Sequence, residues 1–284
     1  MDEKVKCKGH YLIADDKTKR KYRDWKKGGH GISDMDKAIE ESCDVYFYDL
    51  AYRMGIDRLH DFLDKFGFGQ KTGIDLYGER RGLLPSRPWK KKVYGKKWYP
   101  GETLIMGIGQ GYMLATPLQL AAATATLANK GVKVQPHLLQ SIRSTDTTEK
   151  EIFVPNESQF ALRYPDHWND MFRAMKKVVH GVSGTARATG WGMKYKMAGK
   201  TGTAQVFGIA QDEEYDEETV ARKLRDHGLF IAFAPFEAPE IVVAVVVDNG
   251  EHGSQMAPIA RKVIDHYLLK KDKKLSQDGQ ANDE

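Results

Sequence analysis

The chain has 284 residues, with 44 Lys+Arg against 39 Asp+Glu and a net charge of +5. At 41% hydrophobic and 10% aromatic it can build a sizeable core, which excludes wholesale disorder, and collagen, coiled-coil and disulfide-scaffold compositions are excluded as well. No run of about 18 apolar residues occurs, so no bilayer-spanning helix is predicted. The charged first eight residues lack the apolar stretch of a signal peptide. Charges of both signs are mixed, the pattern of a solvated surface, and no nucleic-acid partner is predicted.

In chain order, residues 1–32 read as a basic, glycine-punctuated loop. A helix is predicted from Ser33 or Asp34 through Ala51 towards Gly55, and a shorter one over 56–66. Residues 78–101 form a long Pro- and Lys-rich connection expected on the surface, its lysines (90–97) solvated. Thr116 is a good N-cap, Pro117 suits the first helical position and Gly131 can close that helix. Another helix is predicted over 166–180. The period then changes to strands at 193–198, 229–234 and 241–247, with an acidic insert at 208–226 and a final helix over 258–269 covering the sheet. The polar tail, 271–284, reads as disordered. Helices first, then antiparallel strands, then a helix make the fold α+β.

Two constellations carry chemistry. The first is Lys200-Thr201-Gly202-Thr203, after the first predicted strand. A strand edge with a lysine, two hydroxyls and a glycine suits an extended peptide lying along it as an added strand. Gly202 lets that backbone approach, Lys200 supplies charge, Thr201 and Thr203 donate to a terminal carboxylate, and the Thr203 N–H can help hold an oxyanion. A second Lys-Thr-Gly, at 71–73, has no strand before it and is read as a turn. Ser42-Cys43-Asp44 lies on the first predicted helix. Gly107-Ile108-Gly109-Gln110-Gly111 precedes the Thr116 helix start; no Lys-Ser/Thr pair follows it, so a nucleotide-phosphate loop is not predicted.

The second constellation holds both cysteines. Cys7, Asp24, His30 and Cys43 supply thiolate, carboxylate and imidazole in the irregular pattern Cys-x16-Asp-x5-His-x12-Cys. These residue types suit a tetrahedral zinc site. The residues alone leave other readings open: Cys43 as a buried small hydrophobe, a Cys7–Cys43 disulfide, and His30 as a loop residue.

Ser-x-Asp on a helix, then Gly-Gln-Gly with Thr-Pro-Leu-Gln, then Lys-Thr-Gly-Thr-Ala-Gln on a strand, together resemble the transpeptidase domain of class B penicillin-binding proteins. The flanking text, including Tyr22-Arg23-Asp24-Trp25-Lys26, Gly29-His30-Gly31 and Phe66-Gly67-Phe68-Gly69, is similar to the elongation-type members, penicillin-binding protein 2. The likeness covers roughly residues 5–270. It implies the penicillin-binding protein/serine β-lactamase-like fold, with residues 1–270 as the C-terminal portion of the transpeptidase domain. It also implies serine acyl transfer on D-Ala-D-Ala stem peptides of peptidoglycan, in cell-wall elongation and cell shape. Ser42 would relay a proton towards the leaving amine. Asp44, where many relatives have Asn, would orient the catalytic lysine. Lys200, Thr201 and Thr203 would bind the substrate carboxylate, with Gly202 making room.

The resemblance further implies β-lactam binding in the intact parent, a membrane glycosyltransferase partner and a place at the periplasmic face of the inner membrane. Some elongation-type relatives carry zinc in this segment, which favours a structural zinc on Asp24, His30 and Cys43, with Cys7, or Asp15 or Asp16 in its stead.

The family's nucleophile lies in Ser-x-x-Lys, and none of the nine serines here has Lys three residues later; Ser33…Lys37 is one residue too long. The chain therefore reads as the later part of such a protein, cut after the nucleophile helix and lacking the first strands of its sheet. By itself it is expected to form no acyl-enzyme and to pack loosely or aggregate. The alternatives are a non-catalytic peptidoglycan- or β-lactam-binding module and a D,D-carboxypeptidase or β-lactamase relative.

Overall fold

The structure, a computed structural model, describes residues 3–14, 16–143, 150–206 and 220–280, without the side chains of 150 and 271–280. In chain order the elements are β1 (Val5–Cys7), β2 (His10–Tyr11), β3 (Tyr22–Arg23), β4 (Gly31–Ser33), α1 (Met35–Glu40), α2 (Asp44–Lys65), α3 (Arg87–Tyr94), α4 (Pro100–Gly107) and α5 (Pro117–Ala128). Then come β5 (Val132–Val134), β6 (Ser141–Arg143), β7 (Lys150–Ile152), β8 (Glu157–Gln159), α6 (His167–His180), β9 (Ala198–Ala204), β10 (His227–Ala234), β11 (Ile241–Val247) and α7 (Gly253–Gln280). They form two compact units, Met1–Ala38 with Cys43–Asp170, and Ile39–Ser42 with Met171–Glu284. Helix and antiparallel sheet in each unit agree with the α+β expectation. No helix among the described residues is long and apolar enough to cross a membrane.

The first unit is helical, with two-stranded ribbons β1–β4, β2–β3, β5–β8 and β6–β7. The helix predicted from residue 33 onward is in fact two. The chain breaks between α1 and α2, where Ser42 takes a left-handed φ of 57°, a conformation that costs a non-glycine residue on the order of 1 kcal/mol or more. The predicted second helix is the later half of α2, beyond a kink at Gly55, φ 75°. Tyr46, Tyr48, Val45 and Cys43 from the start of α2 pack with Cys7, Tyr22 and Leu104 into one buried cluster; Ile56, Leu84, Trp98 and Met106 form a second.

The connection over 78–101 differs from its surface reading. It contains α3, capped by Ser86, whose hydroxyl accepts from Trp89 N–H at 3.3 Å, and one of its lysines turns inward. Lys90 is 2% exposed, ion-paired to Glu102, its ammonium 4.6 Å from the Tyr99 ring centroid and 5.7 and 5.8 Å from those of Tyr112 and Trp98. An apolar-periodicity test misses such a helix because a cation occupies its buried position. At α5 the sequence reading holds: Thr116 and Gln119 form a capping box, and the Gln119 amide donates to Gln70 O and Arg81 O, both at 2.7 Å.

The second unit is built on the antiparallel sheet β11-β10-β9. β11 lies where predicted. The strand predicted over 193–198 begins only at Ala198 and runs through the Lys-Thr-Gly. Its apolar neighbours are used differently: Met197 is fully buried and the Tyr195 hydroxyl donates to Asp265 of α7 at 2.8 Å. The polar tetrad is a strand because β10, apolar from Leu229 to Ala234, pairs with it. α7 packs on the sheet as predicted, through Met256, Ala257, Ala260 and Ile264, all buried. Its backbone helix is described to Gln280. Residues 271–280 are mostly helix formers and contain no proline to stop them. The greater part of the acidic insert, 207–219, lies outside the described residues, as do 281–284.

One hydrogen bond sets a pH dependence. His180, at the end of α6, accepts the Met197 N–H on Nε2 at 3.1 Å, which requires the neutral ring. Burial, with Lys196 and Lys176 nearby, holds its pKa below the usual imidazole value of 6.5. The resulting stability is fully present above that value and is lost as pH falls through the lower folded value. The thermal midpoint should fall between about pH 7.5 and about pH 5.5, and fall less in His180→Gln; equal falls in both proteins would contradict this.

Candidate active site and metal cluster

β9 is the outer strand of its sheet, so its far edge pairs with no strand among the described residues. Register sets Lys200 opposite Ile231, Thr201 opposite Phe230, Gly202 opposite Leu229 and Thr203 opposite Gly228. The Lys200 ammonium donates to Ser42 Oγ at 2.7 Å and to Thr201 O at 3.0 Å. The serine of Ser-x-Asp and the lysine of Lys-Thr-Gly, 158 residues apart, are therefore in direct contact.

The segment that carries Ser42 is held from a loop that the sequence reading passed over. The Glu40 carboxylate accepts the Ser183 N–H at 3.1 Å, and the Glu40 carbonyl accepts the Thr185 N–H at 3.3 Å. The Thr185 hydroxyl then bonds the Thr201 hydroxyl at 2.9 Å. Loop, serine segment and strand make one polar network around Lys200. The run Gly181-Val182-Ser183-Gly184-Thr185, directly after a helix stop, was the available signal. α7 braces the strand from its first residue. A Cβ at Gly253 would lie 2.3 Å from Gly202 O and 2.5 Å from Leu229 O, so only glycine allows this approach.

Asp44, in the first unit, opens α2, and its carboxylate accepts the Trp25 N–H at 3.1 Å. Cys7, Asp24, His30 and Cys43 converge in that unit. All four are buried, with one potential ligand atom each, and those atoms lie within 4.8 Å of one another. Cys7 Sγ is 3.4 Å from Asp24 Oδ2 and 3.6 Å from His30 Nδ1; Cys43 Sγ is 3.5 Å from Asp24 Oδ2; His30 Nδ1 is 3.4 Å from Asp24 Oδ1. Bond lengths of about 2.0–2.3 Å to a tetrahedral ion imply ligand–ligand edges of about 3.3–3.8 Å, so the donor set fits one ion. Backbone donors Val45 N–H (3.1 Å) and Lys26 N–H (3.0 Å) orient the Asp24 carboxylate. Both cysteines are free thiols, not a disulfide. Asp16 is engaged elsewhere, by Thr18 N–H at 2.9 Å and the Thr18 hydroxyl at 2.8 Å; Asp15 lies outside the described residues.

The remaining motifs have structural roles. At the first Lys-Thr-Gly, Thr72 N–H and hydroxyl donate to Glu79 Oε1 at 2.7 and 2.6 Å, and Gly73 N–H to Oε2 at 3.2 Å: an irregular loop segment closed on a carboxylate, where the sequence predicts a turn. Gly107 lets α4 meet α2, since a Cβ there would lie 2.4 Å from that of Ala51. Among the described residues Ser33 Oγ is buried with no hydrogen-bond partner, and Lys37 Nζ is held by His30 O at 2.7 Å and Ile32 O at 3.3 Å; they are not a serine–lysine couple.

Residues 1–265 match the penicillin binding protein transpeptidase domain. The chain belongs to the penicillin-binding protein transpeptidase family. It is 44% identical over 266 residues to the peptidoglycan D,D-transpeptidase MrdA of Haemophilus influenzae, covering 91% of this chain and 40% of that protein, so it spans less than half of that relative's length. Among solved structures it is similar to Pseudomonas aeruginosa PBP2 in complex with WCK 5153, at 46% identity and TM-score 0.82 over 94% of this chain and 56% of that one. It is also similar to Helicobacter pylori PBP2 in its complex with MreC, at 32% identity and TM-score 0.79 over 95% and 45%. The family fold inferred from Ser-x-Asp, Gly-Gln-Gly and the second Lys-Thr-Gly is thereby established.

The brace on this family's signature strand can be tested by itself. Gly253→Ala drives a methyl into the backbone of Gly202 and Leu229 and should destabilise the chain by about 1–3 kcal/mol, measured by urea unfolding. An unchanged midpoint would show that α7 does not brace the strand there.

Proposed function

We propose that this chain supplies the substrate-binding and proton-relay half of a serine-type peptidoglycan D,D-transpeptidase active site. The observation that carries the reading is the 2.7 Å bond from Lys200 Nζ to Ser42 Oγ. An ammonium has only donors, so Ser42 accepts and its own hydroxyl hydrogen is directed to another acceptor. In the reaction that acceptor is the amine of the departing D-Ala. The acyl-forming serine is that of the family's Ser-x-x-Lys, which is not among these 284 residues. It attacks the penultimate D-Ala carbonyl; the C–N bond breaks, D-Ala leaves with the proton relayed by Ser42, and an amine of a neighbouring strand takes the acyl group. Lys200, Thr201 and Thr203 receive the terminal carboxylate, Gly202 leaves room for the peptide backbone, and Asp44 orients the catalytic lysine. The open edge of β9 supports this reading, because an extended stem peptide can add to it.

The ion fitted by Cys7, Asp24, His30 and Cys43 is a structural zinc. Burial pushes the Cys43 thiol up, with Asp24 and Cys7 adding to the effect, and a bound cation supplies the charge that releases its proton. The four side chains then pin β1, the loop through His30 and the start of α2, and do no acyl chemistry. The partners are peptidoglycan stem peptides, β-lactams in the intact parent and a membrane glycosyltransferase, with a protein like the MreC bound by the Helicobacter pylori relative. The place of action is the periplasmic face of the inner membrane.

The acyl-transfer reading is tested with fluorescent penicillin on a chimera that joins the preceding part of a family member, bearing Ser-x-x-Lys, to this chain. Labelling is expected in the chimera, absent from the 284-residue chain alone, and reduced at least about a hundredfold by Lys200→Ala. Labelling that survives Lys200→Ala, or that occurs on the isolated chain, would overturn it. For the zinc, metal analysis should find one ion per chain, lost in Cys43→Ser and Asp24→Asn. Absence of metal together with a Cys7–Cys43 disulfide in the mass spectrum would decide against it.

A further inference from the structure

The first unit holds a cavity of about 640 Å3 with no residue of the metal cluster or of β9 in its wall. That volume suits a ligand of two or more sugar-sized rings. Five aromatic side chains line it: Tyr22, Tyr52, Trp98, Tyr99 and Tyr112. Three of these rings also face the buried Lys90 ammonium, which with Glu102 fixes their positions from behind. The aromatic wall is therefore pre-formed.

The polar groups at the cavity are few and balanced. Lys90 cancels Glu102. Arg20, exposed, lies 5.4 Å from the Tyr22 ring centroid, and Asp16 is the other charge in the wall. One cation against one anion selects neither an anionic nor a cationic ligand. Tyr22 is 7% exposed, and among the described residues its hydroxyl has no hydrogen-bond partner. The hydroxyl has its place because residue 101 is glycine: a Cβ there would lie 2.0 Å from that oxygen. Burial raises the Tyr22 pKa, with Arg20 opposing and Asp16 and Glu102 adding, so the phenol stays protonated and can both donate and accept. The hydroxyl is reached by solvent through the cavity, so it is available to a ligand hydroxyl in place of water.

We propose that this cavity binds a neutral saccharide, namely amino-sugar rings of a peptidoglycan glycan strand. The apolar faces of sugar rings stack on the exposed rings of Tyr99 and Tyr52, while the hydroxyls meet the Tyr22 phenol, the Asp16 carboxylate and the Arg20 guanidinium. A purely apolar ligand would leave those three groups desolvated, and a charged one would leave a charge uncompensated. The class of ligand follows from the cavity; its identity as the glycan of the wall rests on the proposed function.

The probe is the tetrasaccharide of N-acetylglucosamine. It carries no stem peptide and is no transpeptidase substrate, so its binding stands or falls apart from the acyl-transfer reading. Titration followed by tryptophan fluorescence and by NMR should saturate with a dissociation constant on the order of 1 mM, with the largest shifts at Tyr99 and Tyr52. Tyr22→Phe deletes only the unpartnered hydroxyl, so it should keep the thermal midpoint and weaken binding about fivefold; Arg20→Ala, at an exposed position, should do likewise. No saturation by about 10 mM, unchanged affinity in both variants, or displacement of the sugar by a D-Ala-D-Ala pentapeptide would each overturn the proposal.

Discussion

A lysine on an edge strand and a serine on a strained turn, joined by one 2.7 Å hydrogen bond, are what the functional half of this chain is arranged around. The geometry is demanding because neither partner sits on a regular element by default. Ser42 holds a left-handed backbone between two helices, a conformation that persists only where its surroundings over-determine it. Here the surroundings are Glu40, gripped by the Ser183 and Thr185 amides, and Lys200 itself. The strand in turn is fixed by its ladder to β10 and by the close approach of Gly253.

Adjacent residues of one tripeptide carry different tasks. Ser42 belongs to the polar network of the second unit, while Cys43, the next residue, is fully buried and belongs to the ligand cluster of the first. Asp44 then opens α2. The cluster is also independent of hydrophobic periodicity. Three of its four members come from a segment with two-residue and three-residue strands and little apolar content, which a metal can order where burial cannot.

Much of this was legible in the sequence, for identifiable reasons. α5 carries its own capping box, β11 is an uninterrupted apolar run, and α6 ends at a glycine, so local chemistry and tertiary role agree. The reading faltered where tertiary context overrides the local pattern. Lys90 is a buried cation on α3, satisfied by Glu102 and three rings that lie 8–22 residues further along the chain. The Lys-Thr-Gly strand owes its conformation to β10 and not to its own residues. The helix break at Ser42 is imposed by contacts with 183–185, which no window around residue 42 contains. The Thr185 hydroxyl, the nearest new member of the site, lies in the Gly- and Ser-rich run 181–185, whose link to Thr201 only the tertiary contact reveals.

The direct test of the central contact is a crystal structure of the transpeptidase domain that includes this chain, soaked with a peptide ending in D-Ala-D-Ala. The terminal carboxylate is expected within about 3.2 Å of Thr201 and Thr203, with the scissile amide nitrogen within the same distance of Ser42 Oγ and Lys200 still bonded to that oxygen. A peptide seated away from β9, or a Lys200 ammonium more than about 4 Å from Ser42 Oγ in the bound state, would contradict the assignment of these residues to acyl transfer.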